Sequence, residues 1–276
     1  MNDIFNDLYN KEKKLTDQLI ICPMVEITGL VGIGGVGAGK IGSDVLWSMT
    51  MKFDAWRIDS DLLRTDTLIV RRQVSDTDLE DLQKRITAES VVKIHARVSD
   101  DNIFGSPQAL LEDVIQVGFP DIELENYLVE LKKPITYKDE VFGLLTYDRQ
   151  VNWYSVNVNW IDKSIKLNLS LESTDGLESA LRIAHILYND KIIWDNRVKD
   201  YAVHKLLPLK NESWLEEDET EVTEIQFKKR MSLESITVYP DGSFEFWHDD
   251  GDLFWGHSIL ISGDLEKGPA DADIPG

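Results

Sequence analysis

Hydrophobic positions in the first 20 residues, Ile4, Leu8, Leu15 and Leu19, recur at spacings of four and seven and predict a helix. The period then changes to two. Residues 25–33 read as a strand running into glycines. Between 47 and 57, Trp47, Met49, Met51, Phe53 and Ala55 alternate with Ser48, Thr50, Lys52 and Asp54. Residues 66–74 give a third strand, with Leu68, Val70 and Val74 on one face. Asp76 or Thr77 is placed to cap a helix over 77–87. Val92, Ile94, Ala96 and Val98 form a fourth strand, and 108–117 a fifth. Strand, strand, strand, helix, strand, strand is the order of an OB fold, a small Greek-key barrel.

The second half mixes both periods. Tyr154, Val156, Val158 and Trp160, then Ile165, Leu167, Leu169 and Leu171, alternate with polar residues around Asp162-Lys163 and predict a hairpin. Leu177, Leu181, Ala184 and Tyr188 mark one helix; Trp194, Val198, Tyr201 and Lys205 mark the next. Thr223 followed by Gln226 is a capping-box pattern opening a helix to about Arg230. Strands are expected at 233–239, 243–248 and 253–262, with turns at Pro240-Asp241-Gly242 and Asp250-Gly251. The fold class expected is α+β: an OB-like β-barrel, then an antiparallel sheet with helices on one face. Gly118-Phe119-Pro120-Asp121 and Lys132-Lys133-Pro134 punctuate the middle. They divide the chain into a barrel domain with its helix at 1–120, a linker or helix at 121–138, and an α+β domain at 139–276.

Charge separates the halves further. The 276 residues carry a net charge of −21, of which −6 falls in residues 1–120 and −15 in 121–276. Such a surface repels phosphates and argues against general nucleic-acid binding. The acidic N-terminus lacks the pattern of a signal peptide. The longest uncharged run, Ile27 to Gly39, holds six glycines and is too short for a bilayer span, so no membrane association is expected. A single cysteine, Cys22, excludes an intramolecular disulfide and fits a cytoplasmic setting.

Two segments carry a resemblance. One is Val141-Phe142-Gly143-Leu144-Leu145-Thr146-Tyr147-Asp148-Arg149 with Trp153 and Trp160. The more specific is Ser235-Ile236-Thr237-Val238-Tyr239-Pro240-Asp241-Gly242-Ser243-Phe244-Glu245-Phe246, continued by Asp249-Asp250-Gly251-Asp252-Leu253-Phe254-Trp255-Gly256-His257-Ser258-Ile259. Over residues 136–276 the chain resembles the bacterial domain-of-unknown-function family numbered 2262. The first 120 residues resemble, less specifically, the barrel-like domain that precedes it in some members. The resemblance implies a bacterial origin and a domain boundary, and carries no chemistry.

Candidate chemistry is sparse. Gly32-x-Gly34-x-x-Gly37 spells a dinucleotide fingerprint and Gly34-x4-Gly39-Lys40 most of a phosphate loop. Both need a following helix, the second also a Ser or Thr where Ile41 stands, and the next segment alternates as a strand. A bulged hairpin between the first two barrel strands is the structural reading. No cofactor motif is complete, and no cofactor is expected. Arg71, Lys93 and Arg97, with Trp56 as an outward aromatic, are the candidates for nucleic-acid contact on the barrel. Glu216 to Glu221 reads as a solvated acidic run. The densest cluster is Asp249, Asp250, Asp252, Trp255 and His257. Carboxylates with imidazole can hold a metal or run acid–base chemistry. The same residues also suit a hairpin turn, and Trp247 and Trp255 suit partner anchors.

The leading expectation is a non-catalytic module whose acidic, Trp-rich second domain binds a protein, with an immunity- or antitoxin-like role as the form its charge favours. A metal-dependent or acid–base enzyme built on Asp249, Asp250, Asp252 and His257 is the first alternative. Nucleic-acid binding by the barrel is the second.

Overall fold

The computed structural model describes residues 2–40, 45–100, 102–171 and 176–276. It divides into two compact units, Met1–Lys133 and Pro134–Gly276.

In the first unit, helix α1 (Asn2–Ile20) precedes strands β1 (Met24–Gly39), β2 (Trp47–Ile58) and β3 (Leu68–Val74). Helix α2 (Asp76–Arg85), β4 (Val91–Ser99), β5 (Gln108–Val117) and α3 (Ile122–Leu131) follow. The strands close into a barrel in the order β1-β2-β3-β5-β4, as the OB-like reading expects. Leu15 and Leu19 of α1 are fully buried; Ile4 and Leu8 lie outside the residues whose side chains are described. Ser75, rather than Asp76 or Thr77, caps α2: its hydroxyl accepts the Asp78 amide. A hydroxyl oxygen one residue earlier reaches the orphan N–H groups of the first turn equally well.

The glycine-rich stretch is part of β1 itself. The next element among the described residues is the strand β2 rather than the helix that both phosphate-binding motifs need; Ile41 and Gly42 lie outside the described residues. Register shifts at Leu30/Val31 and Val31/Val36 mark bulges within the strand, where the sequence reading placed a bulged hairpin. Gly29 has a specific steric reason. A Cβ there would stand 2.1 Å from the Phe53 ring in the barrel interior. Gly29→Ala is therefore expected to destabilise the barrel by about 1–3 kcal/mol, read as a lower urea midpoint at unchanged slope.

The Leu30/Val31 bulge also corrects Trp56. Leu30 pairs with Ala55 but Val31 with Phe53, so one residue of β2 is extra. A single slip exchanges the two faces of a strand. Trp56 accordingly turns inward and is fully buried, while Ala55 joins Leu30, Val91 and Leu124 beneath α3. Trp56 is not an exposed stacking platform. Its indole N–H donates to the Asp66 carbonyl at 2.9 Å.

The second unit holds β6 (Thr136–Asp139), β7 (Gly143–Asp148), β8 (Trp153–Trp160), β9 (Lys163–Ser170), α4 (Gly176–Asn189), α5 (Lys191–Ser213) and α6 (Glu224–Arg230). Strands β10 (Ser232–Val238), β11 (Ser243–Asp249), β12 (Ser258–Asp264) and β13 (Gly268–Asp273) complete it. These strands form one eight-stranded sheet in the order β13-β12-β11-β10-β9-β8-β7-β6, and the helices share a single core with it. The α6 capping box forms in both directions.

The sheet is mixed where an antiparallel one was expected. β9 and β10 pair in parallel, Leu167 opposite Ile236, because α4, α5 and α6 intervene. A crossover of that length returns the chain in the same direction. The buried stripe of α5 runs Trp194, Val198, Ala202, Leu206 and Lys210; Lys205 is exposed over the Tyr201 ring. The last expected strand starts at Ser258 rather than 253, and the five preceding residues belong to a turn. No helix among the described residues is long and apolar enough to cross a membrane.

Candidate functional site

That turn follows β11. Its organising group is the Asp250 carboxylate, which is buried. Oδ1 accepts the Asp252 amide at 3.1 Å, and Oδ2 accepts the Phe254 amide at 2.5 Å and the Gly256 amide at 3.3 Å. Three backbone donors facing one anion make charge-assisted bonds, stronger than neutral ones. Leu253 and Phe254 drop into the core beneath and are fully buried. Gly251 is required sterically: a Cβ would meet the Arg230 carbonyl oxygen at 2.6 Å.

The chain between these anchors is forced into left-handed backbone. Asp252 has φ +62° and Trp255 φ +58°. For a side chain as large as Trp this conformation costs about 1–2 kcal/mol. Its consequence is that Trp255 stays 58% exposed while its neighbour Phe254 is buried. The Trp214 ring braces Trp255 from behind, centroids 4.7 Å apart at 52°, and His257 abuts Trp214 edge-on at 5.5 Å.

In front of Trp255 lies a cavity of about 650 Å³ lined by Glu216, Glu219, Arg230, Asp252 and Trp255. Its back wall is an ion network the sequence did not reveal. Lys210, fully buried on α5, donates to Glu219 Oε2 at 2.5 Å and to the Trp214 carbonyl at 2.7 Å. Arg230 donates from Nη1 to Glu219 Oε1 at 3.1 Å and from Nε to the Gly251 carbonyl at 2.7 Å. The Lys210 hydrogen bond, reinforced by Arg230, holds the Glu219 carboxyl below the usual glutamate range. Glu219 is thus a structural anchor within a run that reads as uniformly solvated. A charged residue on the buried α5 stripe was the signal available for it.

The clustered residues therefore take separate positions. Asp249 accepts the Gly251 amide at 2.9 Å, Asp250 ties the turn, Asp252 and Trp255 border the cavity, and His257 packs on Trp214. Of the carboxylates in this cluster only Asp252 lines the cavity, and His257 is not part of that lining. Among the described residues no three His, Cys, Asp or Glu side chains are arranged to hold a metal ion. His248 sits on the opposite, core-facing side of β11 and is fully buried.

The basic candidates of the barrel are all engaged within it. Lys93 donates to Glu26 at 2.5 Å and lies over the Phe119 ring at 4.5 Å. Arg97 bonds Glu112 at 2.5 Å and the Cys22 carbonyl at 2.7 Å, fastening the end of α1 to β4. Arg71 donates to Gln108 at 2.8 Å and reaches Glu12 at 3.4 Å. Arg71 also borders a cavity of about 460 Å³ shared with Arg72, Gln73, Met49 and Leu110. Each of the three candidates thus has a carboxylate partner within the barrel unit.

Barrel and sheet together define a two-part α+β protein, an OB-like barrel preceding a mixed eight-stranded sheet with helices on one face. Residues 139–274 match the family described as Uncharacterized protein conserved in bacteria (DUF2262), and residues 12–131 match the Domain of unknown function (DUF7021). The family resemblance of the C-terminal half is thereby established, and a domain of separate family precedes it. No curated protein and no solved structure matches the chain. Neither family description names an activity, a ligand or a partner.

Proposed function

We propose that the second unit is a non-catalytic protein-binding module that engages its partner at the 250–257 turn. The observation that carries this reading is Trp255, held more than half exposed in left-handed backbone by a buried carboxylate. A folded protein stabilises such an arrangement against its intrinsic cost, and strained backbone of this kind clusters at binding and catalytic sites. Exposed, rigidly braced Trp is the residue type most enriched at binding hot spots. The −15 charge of residues 121–276 favours a basic partner and fast, salt-sensitive association. An immunity- or antitoxin-like role is the form this takes if the partner is a basic toxin, and Cys22 alone fits the cytoplasmic setting expected for it.

Quantitative affinity capture tests the proposal with Trp255→Ala beside Ile192→Ala, an exposed apolar control. A co-purifying protein is expected to fall at least tenfold with Trp255→Ala and to persist with the control. Equal recovery from both variants contradicts the assignment.

A further inference from the structure

Resting on that reading, we infer that the cavity before Trp255 receives a guanidinium or ammonium side chain from a basic segment of the partner. Three observations converge. The first is the charge that remains after internal pairing. Lys210 and Arg230 share the single carboxylate of Glu219 and each also donates to a backbone carbonyl, so this network carries one surplus positive charge. Glu216 and Asp252 are exposed carboxylates on the same cavity, with Glu217 and Asp218 adjoining in the chain. The two exposed carboxylates of Glu216 and Asp252 outweigh the one surplus cation of the network, so the cavity is left net negative.

The second observation is the aromatic wall. Trp is the best ring partner for a cation, and a guanidinium can stack on its face while its N–H groups reach carboxylates. Trp214 behind Trp255 fixes the ring and reduces the entropy lost when a ligand stacks on it.

The third observation is an internal example of the same chemistry. In the barrel, Arg64 lies 4.1 Å from the Trp56 ring centroid and bonds Asp66 at 2.6 Å and Asp100 at 2.9 Å. One Trp and two carboxylates there hold one guanidinium. Trp255, Glu216 and Asp252 offer the same set of groups around an open cavity. An acidic or phosphorylated segment meets repulsion at this site, and a purely apolar one leaves the carboxylates without partners.

The test uses the peptide Gly-Arg-Gly-Arg-Gly-Arg-Gly and its citrulline counterpart, which keeps the shape and removes the charge. The readout is the Trp255 indole N–H resonance of the full chain, assigned with Trp255→Phe. The arginine peptide is expected to shift it saturably. Affinity is expected to fall at least tenfold in the Glu216→Gln/Asp252→Asn variant, whose unchanged remaining indole resonances report an intact fold. The citrulline peptide is expected to leave the resonance in place. Equal shifts by both peptides overturn the requirement for a cation while leaving the protein-docking reading intact. No shift by either peptide, or wild-type affinity in the double variant, overturns the inference. Arginine binding without any protein captured through Trp255 supports the cation site and removes the docking reading instead.

Discussion

Acidification from pH 7 to pH 4 is expected to weaken the second unit by about 3 kcal/mol through one residue, His248. Its ring lies in the core between Leu233 and Ile259 on neighbouring strands, and neither nitrogen has a hydrogen-bond partner. Burial, with a smaller push from the Lys199 charge, lowers its pKa to about 3; the adjacent backbone of Phe246 and Ile259 offsets only part of this. An unfolded histidine takes up its proton near pH 6.5. The unfolded chain therefore binds the proton first as pH falls. The full stability is present above pH 6.5, declines between 6.5 and about 3, and has no further loss from this group below that. His248→Leu removes the titrating group while keeping an apolar side chain. The wild type is expected to lose stability between pH 6.5 and 5 relative to this variant in urea titrations. Parallel pH profiles for the two proteins contradict the assignment.

Asp250→Ala is expected to destabilise the same unit by about 3–5 kcal/mol. Three amides that face its carboxylate lose a charge-assisted acceptor, and burial prevents water from replacing it fully. The strained residues are then free to relax. Trp255 leaves its left-handed conformation and its stacking on Trp214, so its indole resonance moves toward that of an unfolded chain. Asp250→Asn retains one acceptor oxygen and falls between the two. Asp249→Ala, which removes a single exposed bond to Gly251, is the matched control and changes stability by less than about 1 kcal/mol. Equal effects at positions 249 and 250 contradict the role given to Asp250.

Much of the fold is legible in the alternation of residues because each barrel strand has one face in a closed interior. Met49, Met51 and Phe53 fill it from β2, and Ile94 and Ala96 from β4. The reading slips where alternation itself breaks. The bulge opposite Leu30 exchanges the faces of β2, so Trp56, the outward aromatic by parity, is inside. Edge strands leave little pattern. β6 and β13 are short, carry no large aliphatic side chain, and each is paired on one side only, so Thr136–Asp139 and Gly268–Asp273 give no strong hydrophobic alternation. The parallel β9–β10 pair depends on the long helical connection rather than on either strand's composition.

The site was legible in part. Asp249 to His257 stands out as a cluster, and Trp255 as an anchor, from residue type alone. Their division of labour depends on backbone geometry that sequence does not carry: one carboxylate turned inward, one bordering the cavity, and a Trp carried outward on positive φ. Glu219 was concealed for another reason. It sits among four other acidic residues in 216–221, and its long-range partners Lys210 and Arg230 come together only when α5 and α6 pack.

The most direct measurement is site-specific photocrosslinking in cells carrying the native gene, with benzoylphenylalanine replacing Trp255 in one strain and Ile192 in another. A discrete crosslinked protein from position 255 alone, diminished by added salt in lysate, is the predicted result. A crosslinking pattern shared by both positions, or none from 255, contradicts a docking role for the turn.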